Sequence, residues 1–178
     1  MAAQQGDFEG EECSSKKLYL FRHGKSDWEA RFGSDHERPL AERGRIAAEN
    51  MGKHLARVKQ VPELILCSSS VRTKETLALA MKSGNWQSDV IYCRELYLAS
   101  VQEAIELIQN QTGSVSKLMV VAHEPMCSSL IAELAMGANV KFPTASVARL
   151  SFRAEQWNQI NFSKGRLDWL LTPKALFK

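Results

Sequence analysis

The stretch Leu18-Tyr19-Leu20-Phe21-Arg22-His23-Gly24 joins a run of four apolar residues directly to a cationic pair and a glycine. An apolar run without polar alternation is typical of a strand that is buried on both faces of a sheet. Residues 118–122 form a second run of this kind, which ends at His123-Glu124-Pro125. The two segments therefore predict core strands that end in polar side chains.

Strand-like and helix-like segments alternate along the rest of the chain. Short apolar runs predict further strands at residues 64–67, 90–93, 147–152 and 156–162. Alternation of this kind predicts an α/β fold, a three-layer α/β/α sandwich with a mostly parallel central sheet. The first predicted helix starts at Pro39 and places Ala47, Met51, Leu55 and Val58 on one face, and the second follows the serines at 68–70 and ends near Gly84. The third starts at a capping box formed by Ser100 and Glu103. The fourth starts with Pro125 at N1 and ends near Gly137 at C′.

The composition indicates one globular domain preceded by an acidic tail. The chain has 178 residues, of which 44% are hydrophobic, and no run approaches the length of a membrane span. Residues 1–15 contain four acidic residues, no Lys or Arg, and no apolar periodicity, which predicts a disordered tail. The folded domain is therefore assigned to residues 16–178.

Charge and cysteine usage bear on partners and compartment. The net charge is +3, and because the tail is acidic the rest of the chain is more basic than this figure, which fits an anionic substrate. The Lys and Arg residues are too little clustered to indicate binding of nucleic acid. The four cysteines lie far apart without a C-x-x-C pair, which favours free thiols in a reducing compartment. The tail has neither the apolar core of a signal peptide nor the Arg-rich make-up of a transit peptide, so a cytoplasmic location is expected.

Polar residues collect where the predicted parallel strands end. Such sheets bind ligands outside the carboxyl ends of their strands, so these segments predict one site built from four loops. The residues concerned are Arg22-His23, the segment 68–72 with Arg72, Glu95, and His123-Glu124. Two guanidiniums fit a phosphoryl group through bidentate hydrogen bonds, and an imidazole can act as a covalent nucleophile. The pattern therefore favours chemistry on a phosphoryl group.

Other classes of site fail on spacing. The sequence contains no G-x-x-x-x-G-K-[ST], G-x-G-x-x-G or G-x-S-x-G motif, which argues against the common nucleotide-binding loops and a serine hydrolase. His36 and His54 form no H-x-x-x-H or H-E-x-x-H pair, so no metal site is predicted. A cysteine phosphatase loop is nearly matched, but four residues separate Cys67 from Arg72 where that loop has five. The cysteine mechanism is kept as an alternative.

The order of these motifs resembles the histidine phosphatase superfamily, which includes the cofactor-dependent phosphoglycerate mutases. The resemblance runs from about residue 17 to the end of the chain and is greatest to the small SixA-type phosphohistidine phosphatases. It implies a phosphoglycerate mutase-like fold without a large lid insertion, and no cofactor or metal. The matching segments are Leu20-Phe21-Arg22-His23-Gly24-Lys25-Ser26, Arg38-Pro39-Leu40 through Arg43-Gly44, Ser69-Ser70-Val71-Arg72-Thr73 through Thr76, Glu95-Leu96, Val121-Ala122-His123-Glu124-Pro125 and Thr144-x-Ser146.

The resemblance also implies roles for individual residues. His23 would be the catalytic nucleophile, phosphorylated on one ring nitrogen while a backbone carbonyl holds the other. Arg22, Arg72 and His123 would be catalytic and would bind the phosphoryl oxygens, with Ser26 as a further substrate-binding residue. Glu95 would be the general acid that protonates the leaving group.

The sequence leaves the identity of the general acid open. Glu95 could instead form a structural salt bridge to Arg94 or Arg43, and Glu124 and Glu29 are alternative acids. Glu29 stands where the mutases usually carry Asn, and is expected to point away from a bound phosphate.

The short segment between Glu95 and His123 leaves no room for a lid. An open site favours a large substrate, so the expected function is removal of phosphate from phosphohistidine on proteins. A phosphatase of small phosphorylated metabolites, a mutase, and an inactive phosphate-binding adaptor are the alternatives. The expected partner is a phosphorylated protein or a small phosphorylated metabolite.

Overall fold

The computed structural model describes residues 15–177. The tail predicted at residues 1–15 therefore lies outside the described residues, except for Ser15, which is the first residue of a strand. The strands are β1 (Ser15–Arg22), β2 (Leu64–Ser68), β3 (Asp89–Cys93), β4 (Lys117–Ala122), β5 (Val147–Arg153) and β6 (Arg166–Leu171). The α-helices are α1 (Glu42–Arg57), α2 (Val71–Gly84), α3 (Val101–Gln109), α4 (Met126–Leu134) and α5 (Pro173–Leu176). Single 3-10 turns cover Asp35–Glu37, Glu95–Tyr97 and Trp157–Gln159.

The six strands form one mixed sheet with the order β3-β2-β4-β1-β5-β6. The first four strands in this order are parallel, and β5 and β6 continue the sheet in antiparallel pairing. The predicted α/β fold with a mostly parallel sheet is confirmed, and no large insertion interrupts the described chain.

Two apolar clusters cover the two faces of the sheet. Leu18 and Leu20 of β1 pack in the cluster that contains α3 and α4, whereas Tyr19 and Phe21 pack in the cluster that contains α1 and α2. Successive side chains of a strand point to opposite faces, so a strand that is apolar at every position is buried by helices on both sides. This is the physical reason for the three layers.

The register of β1 and β4 determines where the polar loops meet. The two strands pair in parallel, and Arg22 at the end of β1 lies opposite Ala122 at the end of β4. The residues that follow, His23 and His123, therefore leave the sheet side by side. The backbone amide of His23 also donates to the Ala122 carbonyl, at 3.1 Å.

Two predicted helices have wrong boundaries. The first helix begins at Glu42, not at Pro39, because Leu40 forms a β-bridge with Ser26 and holds that segment extended. Val58 lies beyond the end of α1 and is 40% exposed, so the buried face does not include it. In α4, Pro125 is the N-cap and not N1, and the helix ends at Leu134, before Gly137.

The strand predicted at residues 156–162 is also wrong. Trp157 lies in a 3-10 turn, fully buried, with its indole Nε1 donating to the Val115 carbonyl at 2.8 Å. A short segment whose apolar residue fills a gap between loops has the same pattern of apolar residues as a short strand. The last strand is β6, an edge strand whose side chains are only partly buried. Among residues 15–177, no helix has the length and apolar character needed to cross a membrane.

Candidate active site

His23 lies directly after β1 with its imidazole ring fixed by the backbone. Its Nδ1 is 2.7 Å from the carbonyl oxygen of Gly24. A carbonyl oxygen only accepts, so Nδ1 must carry the proton and Nε2 is the nitrogen with the free lone pair. The Gly24 amide donates in turn to Thr76 Oγ1 at 2.9 Å, which ties this turn to α2. The local fold therefore presents one tautomer of His23.

Arg22, Arg38 and Arg72 bring three guanidiniums to this edge of the sheet. Arg22 ends β1 and donates from Nη1 to the Phe142 carbonyl at 2.7 Å. Arg72 projects from the first turn of α2, which starts after the Ser70 N-cap, and is only 5% exposed. Arg38 is 7% exposed, and its guanidinium stacks 3.4 Å above the Trp28 ring. Sequence reasoning quoted Arg38 as part of a motif but assigned it no role.

The carboxylate of Asp35 joins two of these guanidiniums. Its two oxygens accept from Arg38 Nη2 at 2.6 Å and from Arg72 Nη2 at 3.0 Å, and its backbone carbonyl accepts from Arg72 Nη1 at 2.6 Å. The Tyr97 hydroxyl also donates to this carboxylate, at 2.9 Å. Sequence reasoning missed Asp35, which lies outside the segments that follow the predicted strands, and Tyr97, which lies in such a segment two residues after Glu95. A carboxylate three residues before an arginine was the only signal for Asp35.

His123 lies after β4, against both His23 and Tyr97. Its ring centroid is 5.1 Å from that of His23 and 5.6 Å from that of Tyr97. Its Nε2 is 2.8 Å from the hydroxyl oxygen of Ser68, the last residue of β2. The ends of β1 and β4, the loop before α1, and α2 together form one cluster, which we call the arginine–histidine cluster (Arg22, His23, Arg38, Arg72 and His123). Ser68 of β2 contacts it through His123.

Burial and positive charge keep both histidines of this cluster neutral. Desolvation, together with the charges of Arg72, Arg22 and Arg38, lowers the pKa of His23 to about 4. Desolvation and the neighbouring His23 and Arg72 lower the pKa of His123 to about 3. A neutral imidazole keeps its lone pair, so His23 is in its nucleophilic form at neutral pH.

The cluster contains buried nitrogen atoms that lack a hydrogen-bond partner. Among the described residues these are Nε of Arg22, Arg38 and Arg72 and Nδ1 of His123. Buried polar groups are normally paired, so unpaired ones at a single place need an explanation. A guanidinium Nε–H needs an acceptor, and the terminal oxygens of a phosphoryl group are acceptors. The donor set fits an anionic group with several oxygens.

The remaining predicted site residues lie outside this set of contacts. Glu95 is exposed and forms no hydrogen bond or ion pair with any described residue, including Arg94 and Arg43. Ser26 is buried in its bridge to Leu40, and no described residue hydrogen-bonds its hydroxyl. Glu124 accepts from the amide and hydroxyl of Ser128, in the first turn of α4, at 3.0 and 2.9 Å. Glu29 is exposed.

The cysteine alternative is not supported by the surroundings of Cys67. The thiol is buried, and desolvation raises its pKa to about 12. A catalytic thiolate needs a lowered pKa and access to solvent. As for metals, residues 15–177 contain no group of three His, Cys, Asp or Glu side chains placed to hold an ion.

Comparisons with known proteins identify the family of the chain. A model of the histidine phosphatase superfamily (branch 1) matches residues 18–97. An uncharacterized protein of Mycobacterium leprae is 30% identical over 165 residues, covering 86% of this chain and 99% of that protein. The chain belongs to the histidine phosphatase superfamily, and this membership supports a phosphatase.

Two further matches concern phosphohistidine phosphatases. The structure of the protein histidine phosphatase SixA complexed with tungstate superposes with a TM-score of 0.79 and 26% identity, covering 90% of this chain and 99% of that chain. The phosphohistidine phosphatase SixA of Escherichia coli (strain K12) is 25% identical over 162 residues, covering 88% of this chain and 94% of that protein. Within the superfamily, the chain is thus similar to SixA-type proteins.

Proposed function

We propose that this protein removes phosphate from phosphohistidine on other proteins through a covalent phosphohistidine formed at His23. The observation that carries the proposal is the hydrogen bond from His23 Nδ1 to the Gly24 carbonyl, at 2.7 Å. This bond leaves Nε2 unprotonated beside Arg22, Arg72 and His123. A nucleophile with a fixed tautomer next to three N–H donors fits phosphoryl transfer through a covalent intermediate.

The reaction takes two displacements. In the first, the lone pair of His23 Nε2 attacks phosphorus and the bond from phosphorus to the substrate ring breaks. That ring carries a proton on its other nitrogen, so it takes the electron pair and leaves as neutral imidazole. In the second, water attacks phosphorus, the bond to Nε2 breaks, and inorganic phosphate and a proton are released. Arg22, Arg72 and His123 donate hydrogen bonds to the phosphoryl oxygens in both steps and stabilise the charge of the transition state.

The surroundings of the cluster favour a substrate with a good leaving group. Glu95 is exposed and forms no hydrogen bond or ion pair with the cluster among the described residues. Asp35 does touch it, but its pKa lies below its usual value, because the Tyr97 hydrogen bond and the charges of Arg72 and Arg38 outweigh the effect of partial burial. A carboxylate held in its charged form is a weak general acid. A phosphohistidine ring that is protonated on its other nitrogen leaves phosphorus as neutral imidazole without an acid from the enzyme, whereas an alkoxide needs one, which supports phosphohistidine as the substrate.

The test compares His23→Ala with the matched control His54→Ala. His54 lies near the end of α1, away from the cluster. Release of phosphate from a phosphohistidine protein is measured for both variants, with melting temperatures to check folding. We expect His23→Ala to lose activity by several orders of magnitude and His54→Ala to keep it. A folded His23→Ala protein with near-normal turnover would falsify the mechanism.

A second measurement tests the substrate class. Hydrolysis of p-nitrophenyl phosphate, an alkyl phosphate and a phosphohistidine protein is compared for the wild type and for Glu95→Gln. Phosphohistidine should be the preferred substrate by kcat/KM, and Glu95→Gln should leave that reaction unchanged. A micromolar KM for an alkyl phosphate without phosphohistidine activity would identify a phosphatase of small metabolites.

A further inference from the structure

The end of the sheet opposite the arginine–histidine cluster carries a basic groove. The groove has a volume of about 820 Å³ and is lined by residues of β1, β5, β6 and the loop before β6. It begins at Ser15, the first residue of β1, whereas His23 follows the last. Eight residues of extended strand separate the two sites by roughly 25 Å. The groove is therefore distinct from the candidate active site.

Alternation along the strands produces the basic lining. On β5, Ala148 and Leu150 are buried and lie outside the lining, while the intervening Arg149, Ser151 and Arg153 line the groove together with the buried Phe152. Lys17 on β1 lies opposite Ser151 in the register, on the same face. Side chains at every second position share one face of a sheet, so this face is polar where the other is apolar.

The cations of the groove exceed its anions. Asp168 is the acidic residue of the lining, and it pairs with both Arg149 and Arg166, at 2.9 Å each. The other cations that line the groove are Lys17, Arg153 and Lys164, and none of them forms an ion pair within residues 15–177. Met136, which is 81% exposed, adds an apolar spot to the rim. A surface with this charge takes an acidic ligand.

The N-terminal part of the chain contains an acidic segment close in sequence to the groove. Residues 7–12 read Asp-Phe-Glu-Gly-Glu-Glu, which places four carboxylates around one aromatic side chain. This segment ends three residues before Ser15, which pairs with Arg153 and lines the groove. An extended chain spans about 3.3 Å per residue, so the acidic residues can reach cations from about 10 to 27 Å away from Ser15.

We propose that the acidic segment 7–12 docks in cis into this groove, with its carboxylates on Lys17, Arg153 and Lys164 and Phe8 against Met136. A short tether gives such a segment an effective concentration in the millimolar range, so weak ion pairs suffice. The lack of apolar periodicity that predicts disorder for residues 1–15 is compatible with this docking, because ion pairs need no regular structure. The proposal does not depend on the activity at His23.

The test uses the full chain, labelled with ¹⁵N, and its amide spectrum. The wild type is compared with a variant in which Asp7, Glu9, Glu11 and Glu12 are replaced by the corresponding amides. We expect chemical-shift differences at Ser151–Arg153 and at residues 163–166, far in sequence from the substitutions. In about 0.5 M NaCl these differences should fall by more than half, since ion pairs on a surface are screened at this ionic strength.

A charge reversal in the groove and a matched control complete the test. Arg153→Glu combined with Lys164→Glu should abolish the tail-dependent shifts, whereas Lys53→Glu, on an exposed position of α1, should leave them unchanged. Shifts confined to residues near the substitutions would overturn the proposal. Groove shifts that disappear on dilution would also overturn it, because they would identify docking between two copies of the chain.

Discussion

Replacing Asp35 by Asn tests whether this carboxylate competes with a bound phosphoryl group. Asp35 Oδ2 lies 3.0 Å from Arg72 Nη2, and a phosphoryl oxygen on the same guanidinium would lie about 2.9 Å from a nitrogen. The two anions would then be about 6 Å apart, which at an effective dielectric constant near 20 costs about 3 kcal/mol per pair of unit charges. The Asp35 side chain is 47% exposed, and solvent screening reduces this figure to about 1 kcal/mol.

The predicted effect is tighter binding of phosphate mimics by Asp35→Asn. The inhibition constants of vanadate and inorganic phosphate should fall about fivefold, since 1.4 kcal/mol corresponds to a factor of ten. Asn keeps an oxygen that accepts from Tyr97, so the loop should retain its position. Asp27→Asn is the matched control, because Asp27 lies in the same loop and its carboxylate accepts from the Glu29 amide. Weaker or unchanged binding of vanadate by Asp35→Asn would show that Asp35 mainly holds Arg72 and Arg38 in position.

Four further predictions concern pH, the thiols and packing. The acid limb of kcat/KM should fall near pH 4, because His23 must be neutral to attack and its pKa is about 4; a limb near 6.5 would contradict this. Folding stability, measured by urea denaturation, should decrease as pH falls from about 6.5 to about 4, since the unfolded chain binds the His23 proton first. Cys67→Ser should keep its rate within about twofold, because the thiol is buried and its pKa is about 12; loss of activity in a folded variant would restore the cysteine mechanism. Gly52→Ala should lower the free energy of unfolding by about 2–4 kcal/mol, because the added Cβ would overlap the Ala80 carbonyl between α1 and α2; a loss under about 0.5 kcal/mol would mean that the helices separate easily.

Much of the fold and part of the candidate site could be predicted from local sequence. The apolar runs at β1, β2 and β4 are continuous because both faces of these strands are covered, and a continuous run is recognisable without any structure. The segments that follow such strands lie at one edge of a parallel sheet. For this reason Arg22, His23, Arg72 and His123 could be grouped before their contacts were known; their catalytic roles remain predictions.

The tertiary structure alone decided which other groups join the cluster. Asp35 contacts Arg72, which is 37 residues away in sequence, and Tyr97, which is 62 residues away. Glu95 and Tyr97 belong to the same single turn, yet only Tyr97 reaches the cluster. The direction of a side chain in a short turn depends on what packs against it, and this information is not local.

The edge of the sheet also separates what local sequence predicts from what tertiary structure decides. A buried strand has a recognisable apolar pattern, but β6 is partly exposed and contains Arg166 and Asp168, so its residues resemble those of a loop. Trp157, in contrast, has the character of a strand residue and fills a gap between loops instead. A strand buried on two faces is apolar at consecutive positions, so local sequence predicts it. The pairing of an edge strand and the filling of a gap by a side chain depend on partners distant in sequence. The sequence by itself therefore determined the central parallel strands and the polar loops at their ends, and only tertiary packing decided the last strand and the position of the Asp35 carboxylate against the cluster.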